Sequence, residues 1–307
     1  MAKKPPAKQP PAPTTTGRPA GLFTWIAVGL VVVVVAGLVI IKVVSGSPTT
    51  TKSSGFQPTD ATTVSELTTI PASIFNTVGI TSPVASVTPP IELKNQPALT
   101  ATSSSGATLP EVFYLGAEYC PYCAAQRWPT IIALSRFGSW KGLGNTTSSS
   151  VDVYASTPTF TFWKSTYSSK YLVFKSIEEL NNVYNASTNP PYGKLQTPTK
   201  AEQAIFAKYD TSKYIPGMTA ADNGSIPFLT MGNKFVVSGA SYTPATLSGL
   251  TRGSIASGLK DASSPVTDAI IASANYQTAA LCKLTNQQPS MVCNSSGVLA
   301  AKKAMKL

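Results

Sequence analysis

Glu111-Val112-Phe113-Tyr114-Leu115-Gly116-Ala117-Glu118-Tyr119-Cys120-Pro121-Tyr122-Cys123-Ala124-Ala125-Gln126-Arg127-Trp128 is the stretch on which the reading of the fold turns. Glu111 to Gly116 has the apolar, aromatic texture of a strand, and Ala124 to Trp128 that of a helix, so the two cysteines sit where a strand gives way to a helix. A helix N-terminus directs unpaired N–H groups and the positive end of its dipole at the first cysteine, which favours thiolate over thiol. The three-residue offset places Cys123 one turn along, close enough to close an internal disulfide with Cys120. Two thiols in this setting point to thiol–disulfide exchange, with Cys120 as the attacking thiolate and Cys123 as the resolving thiol.

A CxxC is also found as an inert disulfide or as half of a zinc site, and the chain has four cysteines in all. The ten residues between Cys282 and Cys293 are unlike a zinc knuckle, and the first pair lies in a redox context, so no metal and no cofactor is expected. The expectation for Cys282 and Cys293 is a structural disulfide closing a short loop, contributing roughly 2–3 kcal/mol in the chain-entropy model; a second electron-relay pair is the alternative. Histidine is absent. That excludes Ser-His-Asp and Cys-His nucleophiles and every His-containing zinc site.

The second strong signal is Leu22 to Val44, a nearly unbroken apolar run with Lys42 as its only charge. At about 1.5 Å per residue it is long enough to cross a bilayer core of roughly 30 Å. Lys3, Lys4, Lys8 and Arg18 precede it with no acid among them, which places the N-terminus in the cytoplasm and the remainder outside. The run is longer than a signal-peptide core and lacks a small-x-small cleavage pattern, so it reads as an uncleaved anchor. Of the net charge of +11, four cations lie in this head, and Lys302, Lys303 and Lys306 lie at the other end. No aromatic-interleaved basic patch accompanies them, so nucleic acid is not an expected partner.

Residues 1–20 are Pro-, Lys- and Thr-rich and read as a disordered cytoplasmic head, 21–45 as the transmembrane helix, and 46–108 as a linker with short helices. Within the linker, apolar spacing across Val64–Ile80, interrupted at Pro71, predicts two short helices, and Ile91-Glu92-Leu93 is a candidate strand. Residues 109–283 read as the globular α/β domain and 284–307 as a solvated tail. Strands are predicted at Glu111–Leu115, Val151–Tyr154, Thr159–Phe162 and Lys170–Phe174, and a hairpin around Gly232-Asn233. Helices are predicted at Cys120–Phe137 with a kink at Pro129, at Thr199–Tyr209, at Thr246–Lys260 and at Val266–Lys283, and a partly helical insertion at about 176–215. Glu118 and Arg127 read as solvated surface charges or weak modulators of the thiolate.

Cys120-Pro121-Tyr122-Cys123 after a strand, followed by Ile226-Pro227-Phe228 before a hairpin, resembles the thioredoxin-like superfamily over about residues 107–262. The string Gly116 to Trp128, continued by Ala133-Leu134-Ser135-Arg136-Phe137-Gly138, is similar to an uncharacterised family of membrane-anchored thioredoxin-like proteins of archaea and actinobacteria. The resemblance implies a thioredoxin-like fold with a helical insertion behind a single N-terminal transmembrane helix. It also implies a cis peptide at Ile226–Pro227 that presents backbone groups to a substrate strand beside Cys120. The insertion is more similar to disulfide-forming oxidoreductases than to bare thioredoxin. The expected activity is exchange with exported proteins that carry thiols or disulfides, alongside a redox partner in the membrane, from a single-pass protein with its domain outside the cell. The alternative is a non-enzymatic binding module on the same scaffold, its cysteines serving only as structural disulfides.

Overall fold

The computed structural model describes residues 55–82 and 86–307. The expected head, transmembrane helix and start of the linker lie outside these residues. Among the described residues, no helix is long and apolar enough to cross a membrane.

The chain is mixed α/β. It opens with β1 (Gln57–Pro58), α1 (Ala61–Thr68), α2 (Ala72–Val78), β2 (Ile91–Glu92) and β3 (Thr100–Thr102). The central strand β4 (Thr108–Gly116) leads into α3 (Pro121–Ser135), followed by β5 (Gly138–Lys141), β6 (Gly144–Thr147), β7 (Pro158–Thr161), β8 (Thr166–Ser169) and β9 (Val173–Glu178). A hairpin of β10 (Leu180–Tyr184) and β11 (Tyr192–Lys194) precedes α4 (Lys200–Tyr209), and a second hairpin is formed by β12 (Phe228–Met231) and β13 (Phe235–Ser238). The chain closes with α5 (Arg252–Gly258), α6 (Pro265–Leu284), α7 (Ser290–Cys293) and α8 (Ser296–Met305).

The main sheet runs β2, β13, β12, β4, β3, with β9 parallel to β4 and the other neighbours antiparallel. Because successive side chains of a strand face opposite ways, the continuous apolar run of β4 supplies two cores at once. Val112 and Tyr114 join Leu229, Met231, Phe235 and Val237 in the larger cluster with Trp128, Ile131 and Ile132 of α3 and Ile270 and Ile271 of α6. Phe113 and Leu115 face the other way, into a smaller cluster with Ile177, Phe206, Tyr209, Phe228 and Val236. Each such side chain, fully buried, contributes roughly 1.5–3 kcal/mol.

Pro129 sits within α3, where its missing N–H leaves the carbonyl of Ala125 without its helical donor. Tyr242 supplies the replacement: its buried hydroxyl donates to Ala125 O at 2.9 Å. A neighbouring carbonyl in the same turn, Ala124 O, also accepts from the Thr159 hydroxyl at 2.8 Å. The helix therefore keeps its N-terminal half pinned although its ladder is interrupted.

Several sequence expectations are corrected. Residues 55–82 and 86–108 are woven into the domain rather than serving as a linker: β1 pairs with β6, β2 with β13, and β3 with β4. Of these, β2 falls at the expected Ile91-Glu92-Leu93, whereas β1 and β3 carry no periodicity that a sequence could reveal. Val151–Tyr154 is a run of turns whose Val151 and Val153 side chains project outward, the loop being held by Ser148 Oγ, which donates to Tyr154 O at 2.8 Å. The strand expected at Lys170–Phe174 begins only at Val173 and continues to Glu178, and the insertion expected to be helical is half β-hairpin. The helix expected over Thr246–Lys260 is divided, with a 3₁₀ turn at Pro244–Leu247, Gly249 at φ +74° and α5 beyond it. Residues 284–307 are no solvated tail: α8 buries Val298 and Ala301, and Gly297 lies so close to the Phe75 carbonyl that an added Cβ would stand 2.2 Å from it.

Replacing Tyr242 with Phe should leave Ala125 O buried and unpaired. Denaturant unfolding should show a loss of about 1–3 kcal/mol, and an unchanged midpoint would contradict the role given to the hydroxyl.

Candidate functional site

Cys120 is the N-cap of α3, with φ −75° and ψ 123°, and its Sγ accepts the Cys123 N–H at 3.3 Å. Pro121 at the first helical position fits there because its absent N–H would be unpaired anyway. The sulfur thus takes the place usually held by a capping oxygen, at the positive end of the helix. On its other side the Sγ–H donates to the Ile226 carbonyl at 3.7 Å, so the loop before β12 faces the first cysteine directly. The Ile226–Pro227 peptide is cis.

Burial separates the two thiols. Cys120 keeps 6% of its surface exposed and Cys123 none, and they are not bonded to each other. The hydrogen bond from the Cys123 side chain holds the Cys120 thiol below its ordinary range, aided by the Cys123 N–H and the Arg127 charge, against the opposing effect of burial. Burial pushes the Cys123 thiol well up, and its contacts with Cys120 push it further, with Arg127 pulling the other way. The outer thiol is the one poised to ionise.

Beneath the pair lies a buried ion pair that the sequence reading missed. Arg127, expected at the surface, is fully buried: its Nε donates to Glu178 Oε1 at 2.8 Å, and one Nη to Glu178 Oε2 at 2.6 Å and to the Ala117 carbonyl at 2.8 Å. Glu118 is also buried, its carboxyl pushed up chiefly by that burial. An arginine inside an otherwise apolar helix stretch was the available signal, since such a residue must be paired when the helix is covered on all sides.

A cluster of tyrosines stands beside the cysteine pair. Tyr119 stacks on Tyr192 with centroids 4.4 Å apart, Tyr192 meets Tyr184 edge-on, and Tyr122 meets Tyr154 edge-on at 5.9 Å. Tyr192 donates to Ser149 Oγ at 3.0 Å, and the Ser149 N–H donates to Tyr119 O at 2.8 Å, which ties the 148–157 loop and the β10–β11 hairpin to the residue before Cys120.

Behind the Ile226 loop, Asp210 is fully buried, and neither of its carboxylate oxygens makes a hydrogen bond of good geometry. The Gly224 N–H donates instead to the Asp210 backbone carbonyl at 3.0 Å. Burial raises this carboxyl to about 6, with nearby Ser238, Ser225 and Gly224 only partly offsetting it.

Cys282 and Cys293 are joined to each other, S–S 1.98 Å, and both are buried where α6 meets α7. Among the described residues, no cluster of three or more His, Cys, Asp or Glu is placed to hold a metal ion.

Residues 99–283 match the model of a family described as a domain of unknown function, DUF929. The chain belongs to the DUF929 family. No curated protein and no solved structure matches it. The DUF929 span begins near β3, earlier than the domain start read from sequence, and it contains Cys120, Cys123, Ile226, Pro227 and Cys282 but ends before Cys293.

Because the folded-state pKa of Asp210 lies above its unfolded value near 4, native protein binds this proton more tightly. The resulting penalty is absent below that value, grows as pH rises through about 6, and is constant above. Asp210→Asn should therefore stabilise the protein by roughly 2 kcal/mol at pH 7 and by nearly nothing at pH 4. Equal effects at both pH values in thermal unfolding would contradict this assignment.

Proposed function

We propose that this DUF929 protein is a thiol–disulfide oxidoreductase of thioredoxin-like architecture, held at the membrane by Leu22–Val44 with the described domain outside the cell. The observation that carries the reading is the placement of Cys120 Sγ between the N-terminus of α3 and the Ile226 carbonyl. The order β9, β4, β12, β13, with α3 following β4 and the Ile226–Pro227 loop leading into the hairpin, supports the thioredoxin-like architecture.

The chemistry follows from the difference in burial. Cys120, the less deeply buried thiol and the one held low, attacks a substrate disulfide as thiolate; a Cys120–substrate disulfide forms and the second substrate sulfur leaves and takes a proton. Cys123 then loses its proton and attacks Cys120 Sγ. The mixed disulfide breaks, the substrate leaves as a thiol, and the Cys120–Cys123 pair holds the disulfide. Two electrons pass from the pair to the substrate, or in the reverse direction from a dithiol substrate to the oxidised pair, as the relative potentials dictate. An extended substrate backbone beside Cys120 meets the Ile226–Pro227 loop on one side and the tyrosine cluster on the other. Its expected partners are exported proteins carrying thiols or disulfides and a redox partner in the membrane.

Cells producing the full chain with Cys123→Ser should accumulate mixed disulfides, separable by reduction, whose partners are exported proteins. Cys120→Ser should give none. Equal trapping by both variants would overturn the division of labour, and partners drawn only from the cytoplasm would overturn the outward placement.

A further inference from the structure

Arg127 reaches Glu178 and Ala117 with Nε and one Nη, but its remaining Nη1 is buried without a hydrogen-bond partner. The Tyr114 hydroxyl, from the adjacent strand, is equally buried and equally without one, and Arg127 Cζ stands 5.9 Å from the centre of the Tyr114 ring. Native interiors rarely leave two donors unpaired side by side, because each forgoes its water without compensation. The group beside the Tyr114 hydroxyl is Cys123, on which the Arg127 charge also acts. A Cβ on Gly116 would stand 2.4 Å from Tyr114 Oη and 3.0 Å from Cys123 Sγ, so glycine at 116 is what leaves room for the hydroxyl beside the sulfur. A neutral thiol is a weak acceptor and leaves such donors unsatisfied; a thiolate is a strong one.

We propose that Tyr114 and Arg127 form a preorganised site for the thiolate of Cys123, Tyr114 donating a hydrogen bond to Sγ and Arg127 supplying the buried positive charge. The proposal rests on the oxidoreductase reading, in which Cys123 must become an anion in a place that excludes water. In that step the Cys123 S–H bond breaks, an S–S bond forms to Cys120, the Cys120–substrate S–S bond breaks, and the departing substrate sulfur takes up a proton. Electrostatics agree with the geometry. Burial holds the Tyr114 hydroxyl well above its ordinary range, so it stays protonated as a donor at neutral pH, and Glu178 keeps Arg127 charged against its own burial. Arg127 is also the group whose charge pulls the Cys123 thiol down against burial and against Cys120. Tyr114 is a positioning residue for the second half of the reaction alone, since Cys120 takes its own stabilisation from the helix terminus and the Cys123 side chain and N–H.

The test uses the reduced protein and a chromogenic aryl disulfide, whose first coloured thiolate is released by Cys120 and whose second is released when Cys123 resolves the adduct. Tyr114→Phe should leave the first phase unchanged and slow the second about tenfold, equivalent to about one unit in the Cys123 pKa. Its melting temperature should be unchanged or higher, because the hydroxyl removed is unpaired in the resting protein. In the Cys120→Ser background, the ultraviolet midpoint for Cys123 thiolate formation should rise by about one pH unit on Tyr114→Phe. Two phases in the unmodified protein with both unaltered in Tyr114→Phe, or an unmoved Cys123 midpoint, would overturn this inference alone. Absence of the second phase from the unmodified protein would overturn the oxidoreductase reading and this inference with it.

Discussion

The Arg127–Glu178 pair is the constraint from which the rest of the site hangs. It joins the first turns of α3 to the end of β9, and through Ala117 it also holds the loop between β4 and the helix. Removing two charges from water costs several kcal/mol per ion, so a buried pair persists only with near-ideal geometry and further hydrogen bonds. Here the fork is bidentate, a backbone carbonyl takes a third bond, and the Phe162 N–H donates to Glu178 at 3.3 Å. With the helix start fixed in this way, Cys120 has little freedom to face anything but the Ile226 carbonyl.

Burial then divides two chemically identical thiols. One lies at the surface end of a helix dipole and is held low; the other lies a turn deeper and is held high. The asymmetry comes from depth and from the direction of the hydrogen bonds. Asp210 repeats the theme behind the loop that faces Cys120, where its buried carboxyl lacks adequate partners.

Much of this was legible in the chain and some was not, for identifiable reasons. β4, α3, α4, α6 and the β12–β13 hairpin declare themselves through long apolar runs, a Thr199 cap completed by Glu202, and a Gly-Asn turn. Cys120 and Cys123 could be singled out from their place at a strand–helix junction, and Ile226 and Pro227 only through the resemblance to thioredoxin-like proteins. Arg127 and Glu178 could not be paired, since they are far apart in sequence and meet only once β9 lies parallel to β4. Val151 and Val153 misled because alternation signals a strand only when one face is covered, and this loop turns both outward. Of the C-terminal helices, α8 escaped notice because it packs through Gly297 and Ala301 beside a single larger residue, Val298, small side chains that permit close approach without a long apolar run.

The account stands on Cys120 ionising more readily than Cys123. The most direct measurement is the rate of alkylation of the fully reduced protein as a function of pH, with the modified cysteine located by peptide mass. The account predicts modification first at Cys120, with a midpoint below about 8.5, the value of a free thiol. A midpoint at or above that value, or modification falling first on Cys123, would contradict it.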